Sequence, residues 1–134
     1  MADKTGLAEL LAFEMELARL ESFAKDNAPK VASEIGKAAK GQFRAGNDPY
    51  GNPWQPTKDG KKPFPKAAQE ITFAAQGLDI LEDAPEHYKY HQNPSGRAPA
   101  RKVFPDPGNT PEAWKTAAET QTSTDFFKRF KRFL

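Results

Sequence analysis

Residues 41–65 read GQFRAGNDPYGNPWQPTKDGKKPFP, and they divide the chain into what can be regular and what cannot. From Asp48 to Pro65 the stretch holds five prolines and two glycines. Proline lacks the N–H that a helix or an inner strand needs, and its ring clashes with the preceding helical turn, so neither element runs through this segment. It reads as an irregular arm over 46–66. Irregular segments of that length inside a small domain are functional or disordered. Trp54 in its middle favours anchoring, because so large a ring is costly to leave wholly in water.

Upstream of the arm, Leu7, Leu10, Leu11, Leu17, Leu20 and Ala24 recur at helical spacing, with Glu9, Glu14, Glu16 and Arg19 mostly off that stripe. This predicts an amphipathic helix over 5–25. Asn27, Ala28 and Pro29 then read as a stop and restart, since Asn caps helices and Pro is harmless in a first turn. A second helix over 28–44 carries Val31, Ile35, Ala39 and Phe43 on one face and Lys30, Lys37, Lys40 and Arg44 outside it. Gly46 and Asn47 end it.

Downstream, Ile71, Phe73, Leu78 and Ile80 alternate with polar residues, which fits two short strands or one strand interrupted near Gly77. Residues 82–86 read as a turn with Glu82 and Asp83 solvated, 87–92 as a strand or short helical segment, and 101–104 as another strand. Thr110 is a natural N-cap with Pro111 at the first helical position. The last helix, over 111–132, carries Trp114, Ala117, Ala118, Phe126, Phe127, Phe130 and Phe133. The order implies one α+β domain: N-terminal helices, a small mostly antiparallel sheet of three or four strands with a long Pro/Gly-rich arm, and a C-terminal helix.

Composition narrows the function. With 134 residues the chain has room for a single core, and with no cysteine it has no disulfide, thiolate metal site or cysteine nucleophile. No apolar run approaches the ~18 residues of a membrane span, so no membrane partner is expected. The formal charge is only +2, but it is unevenly spread: −3 over residues 1–27, +5 over 28–66, −4 over 67–96 and +4 over 97–134. Alternating blocks of this kind suit surfaces that meet one another, because complementary potentials fix register.

Candidate chemistry is thin. His87 and His91 stand four apart without the HExxH pattern, and the tyrosines between and beside them suggest strand, on which the pair is too widely spaced for one ion. Ser22, Ser33, Ser95 and Ser123 lie in no nucleophile elbow, and GNDPYGNP and SGRAPAR lack the glycine spacing and Lys-Ser/Thr of a phosphate loop. No enzyme activity, cofactor or metal is expected. The terminal FFKRFKRFL interleaves Phe126, Phe127, Phe130 and Phe133 with four cations. It suits core or subunit packing with the cations snorkelling into water, and alternatively contact with phosphates or an anionic membrane.

Residues 41–63 resemble the hallmark of a family of tailed-bacteriophage morphogenesis proteins, the tail-completion or head-to-tail joining proteins of Mu-like and lambda-like phages and prophages. The shared pattern is a helix ending in an aromatic and a Gly, then Asp-Pro-x-Gly-x-x-Trp-x-Pro and a Lys-rich continuation. Phe43, Gly46, Asp48, Pro49, Gly51, Trp54, Pro56 and Lys58 fill those places. A second match follows in Tyr90-His91-Gln92, Gly96 and Pro99-Ala100-Arg101, similar to the family's Tyr-x-x-His-Gln and Ile-Pro-Ala-Arg-Pro-Phe elements. Tyr88 rather than Tyr90 stands before x-x-His-Gln, Ala98 replaces Ile, Lys102-Val103 precede Phe104, and the family's Thr-Gly-x-Leu step is missing.

The resemblance implies a structural virion assembly protein, made in the host bacterial cytoplasm and carried in the virion as a minor tail protein. It would complete the tail end or join tail to head as part of a homo-oligomeric ring matching the tail's sixfold symmetry, with tail-tube and head-connector proteins as partners. Asp48-Pro49-x-Gly51 reads as a tight turn, and Trp54 as an anchor for its own loop or for a neighbouring subunit. Arg97 and Arg101 would bridge subunits or touch phosphate. The alternative is a small nucleic-acid-binding module using Lys58, Lys61, Lys62, Arg97, Arg101 and the C-terminal cations, whose affinity would fall steeply with salt; in the virion reading any DNA contact is incidental.

Overall fold

A computed structural model describes residues 2–93 and 99–130, with side chains from residue 6 onward. Helix α1 (Ala2–Arg44) is one element of 43 residues, where the sequence predicts two. Pro29 lies inside it. A proline there removes the bond to the carbonyl of Lys25 and costs roughly 3 kcal/mol in an isolated helix. Packing offsets that cost: Ala28, Val31 and Ala32 are buried. Asn27, a capping residue by sequence, instead donates from Nδ2 to Thr122 Oγ1 at 2.9 Å. The helix ends at Gly46, whose φ of 83° lets Asn47 donate to the carbonyl of Gln42 at 2.9 Å and Gly46 to that of Phe43 at 3.0 Å.

The irregular segment folds back over α1 and leads into a short helix, α2 (Ala67–Glu70). Strands β1 (Thr72–Gln76) and β2 (Asp79–Asp83) form an antiparallel hairpin in which Thr72 faces Asp83 and Gln76 faces Asp79. Gly77 turns it at φ 63°. These two strands make the only sheet among the described residues, so the expected third and fourth strands are corrected. Residues 86–89 coil into α3 (Glu86–Lys89). Residues 101–104 stay irregular because the side chains of Gln92 and Trp54 and the carbonyl of His91, rather than a neighbouring strand, take their backbone groups.

Helix α4 (Glu112–Phe130) starts one residue later than predicted, with the carbonyl of Pro111 accepting from Lys115 at 3.0 Å. It lies antiparallel along α1. Trp114 at its start meets Gln42, and Phe130 at its end meets Phe23. Residues 131 and 132 of the predicted helix, Phe133, and Arg97 with Gly96 lie outside the described residues. Between α1, α2, α3, α4 and the loops sits the core, built around Phe43, Trp54, Ile71, Tyr88, Val103 and Trp114.

Candidate assembly surface

The Asp48 turn is built as its sequence demands. Gly51 donates to the carbonyl of Asp48 at 3.0 Å, Pro49 supplies the second position, and Gly51 takes φ 86°, a left-handed conformation that a side chain would strain. Asp48 Oδ1 accepts from the amides of Tyr50 and Asn52, both at 2.9 Å. Asp48 donates to Asn52 at 2.8 Å and Trp54 to Gly46 at 2.9 Å, closing a tight loop. That loop aims Trp54 into the core, where its ring stacks on Phe43 at 5.6 Å and meets the edge of Phe64.

The two stretches that carry the family resemblance interlock. Trp54 Nε1 donates to the carbonyl of Lys102 at 2.8 Å. In return Arg101 donates from Nε to the carbonyl of Gln55 at 2.8 Å and from Nη2 to that of Pro56 at 3.0 Å. Its amide donates to the carbonyl of His91 at 2.6 Å. Gln92 accepts on Oε1 from the amides of Val103 and Phe104, both at 3.1 Å, and donates to the carbonyl of Phe104 at 2.6 Å. Each bond satisfies a backbone group that has no ladder partner, which is why loops this irregular can be packed.

Two further side chains tie this unit to its surroundings, Gln42 to α1 and α4 and Tyr50 to the loop that precedes α4. Gln42 donates to the carbonyl of Pro49 and accepts from Trp114 Nε1, each at 2.9 Å. Tyr50 donates its hydroxyl proton to the carbonyl of Asn109 at 2.6 Å and accepts from the amide of Asp106 at 2.7 Å. Neither residue stands out by sequence, since one polar side chain on a helix and one tyrosine in a turn carry no spacing signal.

Phe43, Pro49 and Trp54 are thus buried in the chain's own core, and His91 is half-buried with its ring against Phe64. Tyr90 points into solvent. Among the described residues no group of three or more His, Asp or Glu could hold a metal ion. At the far end of the molecule, Phe126 and Phe130 meet Phe23 edge-on at 5.8 and 5.9 Å, while Phe127 is exposed. Arg129 lies over the Phe23 ring and pairs with Asp26 at 3.0 Å. Lys30 pairs with Asp125 at 2.8 Å and holds that carboxyl below its usual range.

One titratable group was not legible as a site. Glu82 sits in β2, not in a solvated turn, and faces inward opposite Phe73. It lines a cleft of about 330 Å³ with Ile35, Phe73, Ile80, Pro111 and Trp114. Both carboxylate oxygens are buried without a hydrogen-bond partner, and burial pushes its pKa up to about 8. Protonated at neutral pH, it has Asp106 at the rim of the same cleft, but Asp106 is engaged by Lys102 at 2.9 Å. The register gives the only clue in sequence: Ile80 and Glu82 share one strand face.

The largest uncovered feature is the N-terminal half of α1. Leu7, Leu10, Leu11, Phe13, Met15, Leu17 and Leu20 are all exposed, from 43% to 60%. The last described residue of α4, Phe130, meets Phe23, and the described residues leave the large apolar side chains before Phe23 exposed. None of the described helices is long and apolar enough to cross a membrane. The chain matches no family model, no curated protein and no solved structure.

Proposed function

We propose that this protein is a structural component of a tailed-phage virion that completes the tail end or joins tail to head, acting as one subunit of an oligomeric ring. The observation that carries the reading is the interlock itself. The two stretches that resemble the tail-completion family, far apart in sequence, lie together: Trp54 of the first holds the carbonyl of Lys102, Arg101 of the second holds the carbonyls of Gln55 and Pro56, and Gln92 braces the second from within. A shared motif that builds a rigid frame suits a protein whose work is geometric. No chemistry is required of it.

The nucleic-acid reading draws less support, because many of its cations are spent internally. Arg101 holds two carbonyls of the arm, Lys62 donates to the carbonyl of Arg44, and Arg129 pairs with Asp26. Purified heads and tails made without this protein should join when it is added back. Failure to restore joined particles, together with salt-sensitive binding to duplex DNA, would replace the virion role with the nucleic-acid one.

A further inference from the structure

The bare stripe on α1 calls for a partner, and the charge and shape of this chain identify one. Taking about 200 Å² for a fully exposed large side chain, the five leucines of the stripe from Leu7 to Leu20 present roughly 500 Å² to water. That stands at the upper end of the ~300–600 Å² of the largest apolar patch on an ordinary monomer, the size at which such patches mark interaction sites, and is more than half of the ~800 Å² that each partner contributes to a stable interface. The same half-helix is acidic, with Glu9, Glu14, Glu16 and Glu21 against Arg19.

Further along α1 lies a groove with the complementary character. Its volume is about 600 Å³, it is lined by Ala32, Gly36, Phe73 and Ala75 with Lys37 and Lys40, and Lys37, paired with Glu34 at 3.0 Å, still leaves 70% of its side chain exposed. Small residues let a helix backbone approach closely, and the two lysines meet a helix whose charges are mostly carboxylates. Along one side runs β1, which among the described residues pairs only with β2 and so has an open edge.

Arm and groove belong to one continuous helix, their centres near residues 14 and 35. At about 1.5 Å per residue they are roughly 30 Å apart along its axis, so an arm cannot reach its own groove. We propose that the N-terminal half of α1 docks in the Pro29–Lys40 groove of a second copy of this chain. The contact is heterologous, one patch meeting a different patch, and such contacts propagate from copy to copy until they close into a ring or continue as a filament. This deepens the ring in the function proposed above, yet it stands on exposed side chains and charge alone.

Complementation tests it. One variant carries Leu10→Glu and Leu17→Glu in the arm; a second carries Lys37→Glu and Lys40→Glu at the groove. All four side chains lie outside the core, so far-ultraviolet circular dichroism should match the parent protein, and melting temperature should match it at a dilution that keeps the parent monomeric. Native mass spectrometry at tens of micromolar should give oligomers for the parent and monomers for each variant alone. An equimolar mixture should give one-to-one heterodimers, because the groove of the first variant and the arm of the second are intact. A monomeric parent would overturn docking by a second copy. Oligomers in the groove variant alone would overturn the groove as the receptor and point to arm-on-arm pairing. Head-to-tail joining is read separately: heterodimers without joining activity would keep this inference and sink the virion role, and joining by the arm variant at the parent's level would do the reverse.

Discussion

Residues 6–22 and 23–44 of α1 are one helix in two environments. In the second half Ala39 and Phe43 are sealed at 0% and 1% exposure, while Leu10 in the first half is 52% exposed. Both halves carry an apolar stripe at helical spacing. Amphipathicity thus states which face is to be covered and is silent on what covers it. The packed half is held by α4 and the loops, and the bare half continues as a rod from that base.

The comparison can be broken most sharply at Trp54. Trp54→Ala should cost about 3–5 kcal/mol in urea unfolding, through the cavity left beside Phe43 and the orphaned carbonyl of Lys102. A loss below about 1 kcal/mol would mean that the loop frame does not anchor the packed half.

Glu82 offers the next largest effect. Its folded pKa of about 8 lies above the ordinary 4.5, so the folded state holds the proton more tightly than the unfolded one. Stability is therefore full below about pH 4.5 and falls as pH rises through about 8. Glu82→Gln should flatten that decline and raise stability at pH 8.5 by on the order of 1–3 kcal/mol. Parallel pH profiles for the two proteins would show that the carboxyl is solvated when folded.

At the small end stands Leu10→Ala. Under conditions dilute enough to keep the chain monomeric, it should shift unfolding by less than about 0.5 kcal/mol, because no described neighbour loses a contact. A cost near the 2–5 kcal/mol of a buried leucine would show that the stripe is covered within the monomer.

The turn at Asp48 was legible because Pro and Gly restrict backbone angles by themselves, with no help from distant residues. Trp54 as an anchor was legible for a similar reason, since a lone large ring in a polar loop has few stable places. The continuity of α1 was not, because local chemistry at Asn27 and Pro29 argues for a break, and only packing against α4 overrides it. Residues 101–104 end in the strand-favouring pair Val103-Phe104, but Gln92 claims their amides, an interaction invisible until the loops are folded. Glu82 was placed in water because charged residues usually are there.

The antiparallel pairing of α1 with α4 also governs how the molecule is made. Gln42 meets Trp114 across 72 positions of sequence, and Asp26 meets Arg129 across 103. Such distant pairings are slow to form, since the loop between them must close before any contact rewards it. On the ribosome α1 emerges before α4 and must wait for it to cover Phe23 and pair with Asn27, with its leucine-rich leading half bare throughout. During that interval nascent chains on neighbouring ribosomes present complementary surfaces to one another, so synthesis at low local density, or a chaperone holding residues 6–22, would favour orderly assembly over aggregation.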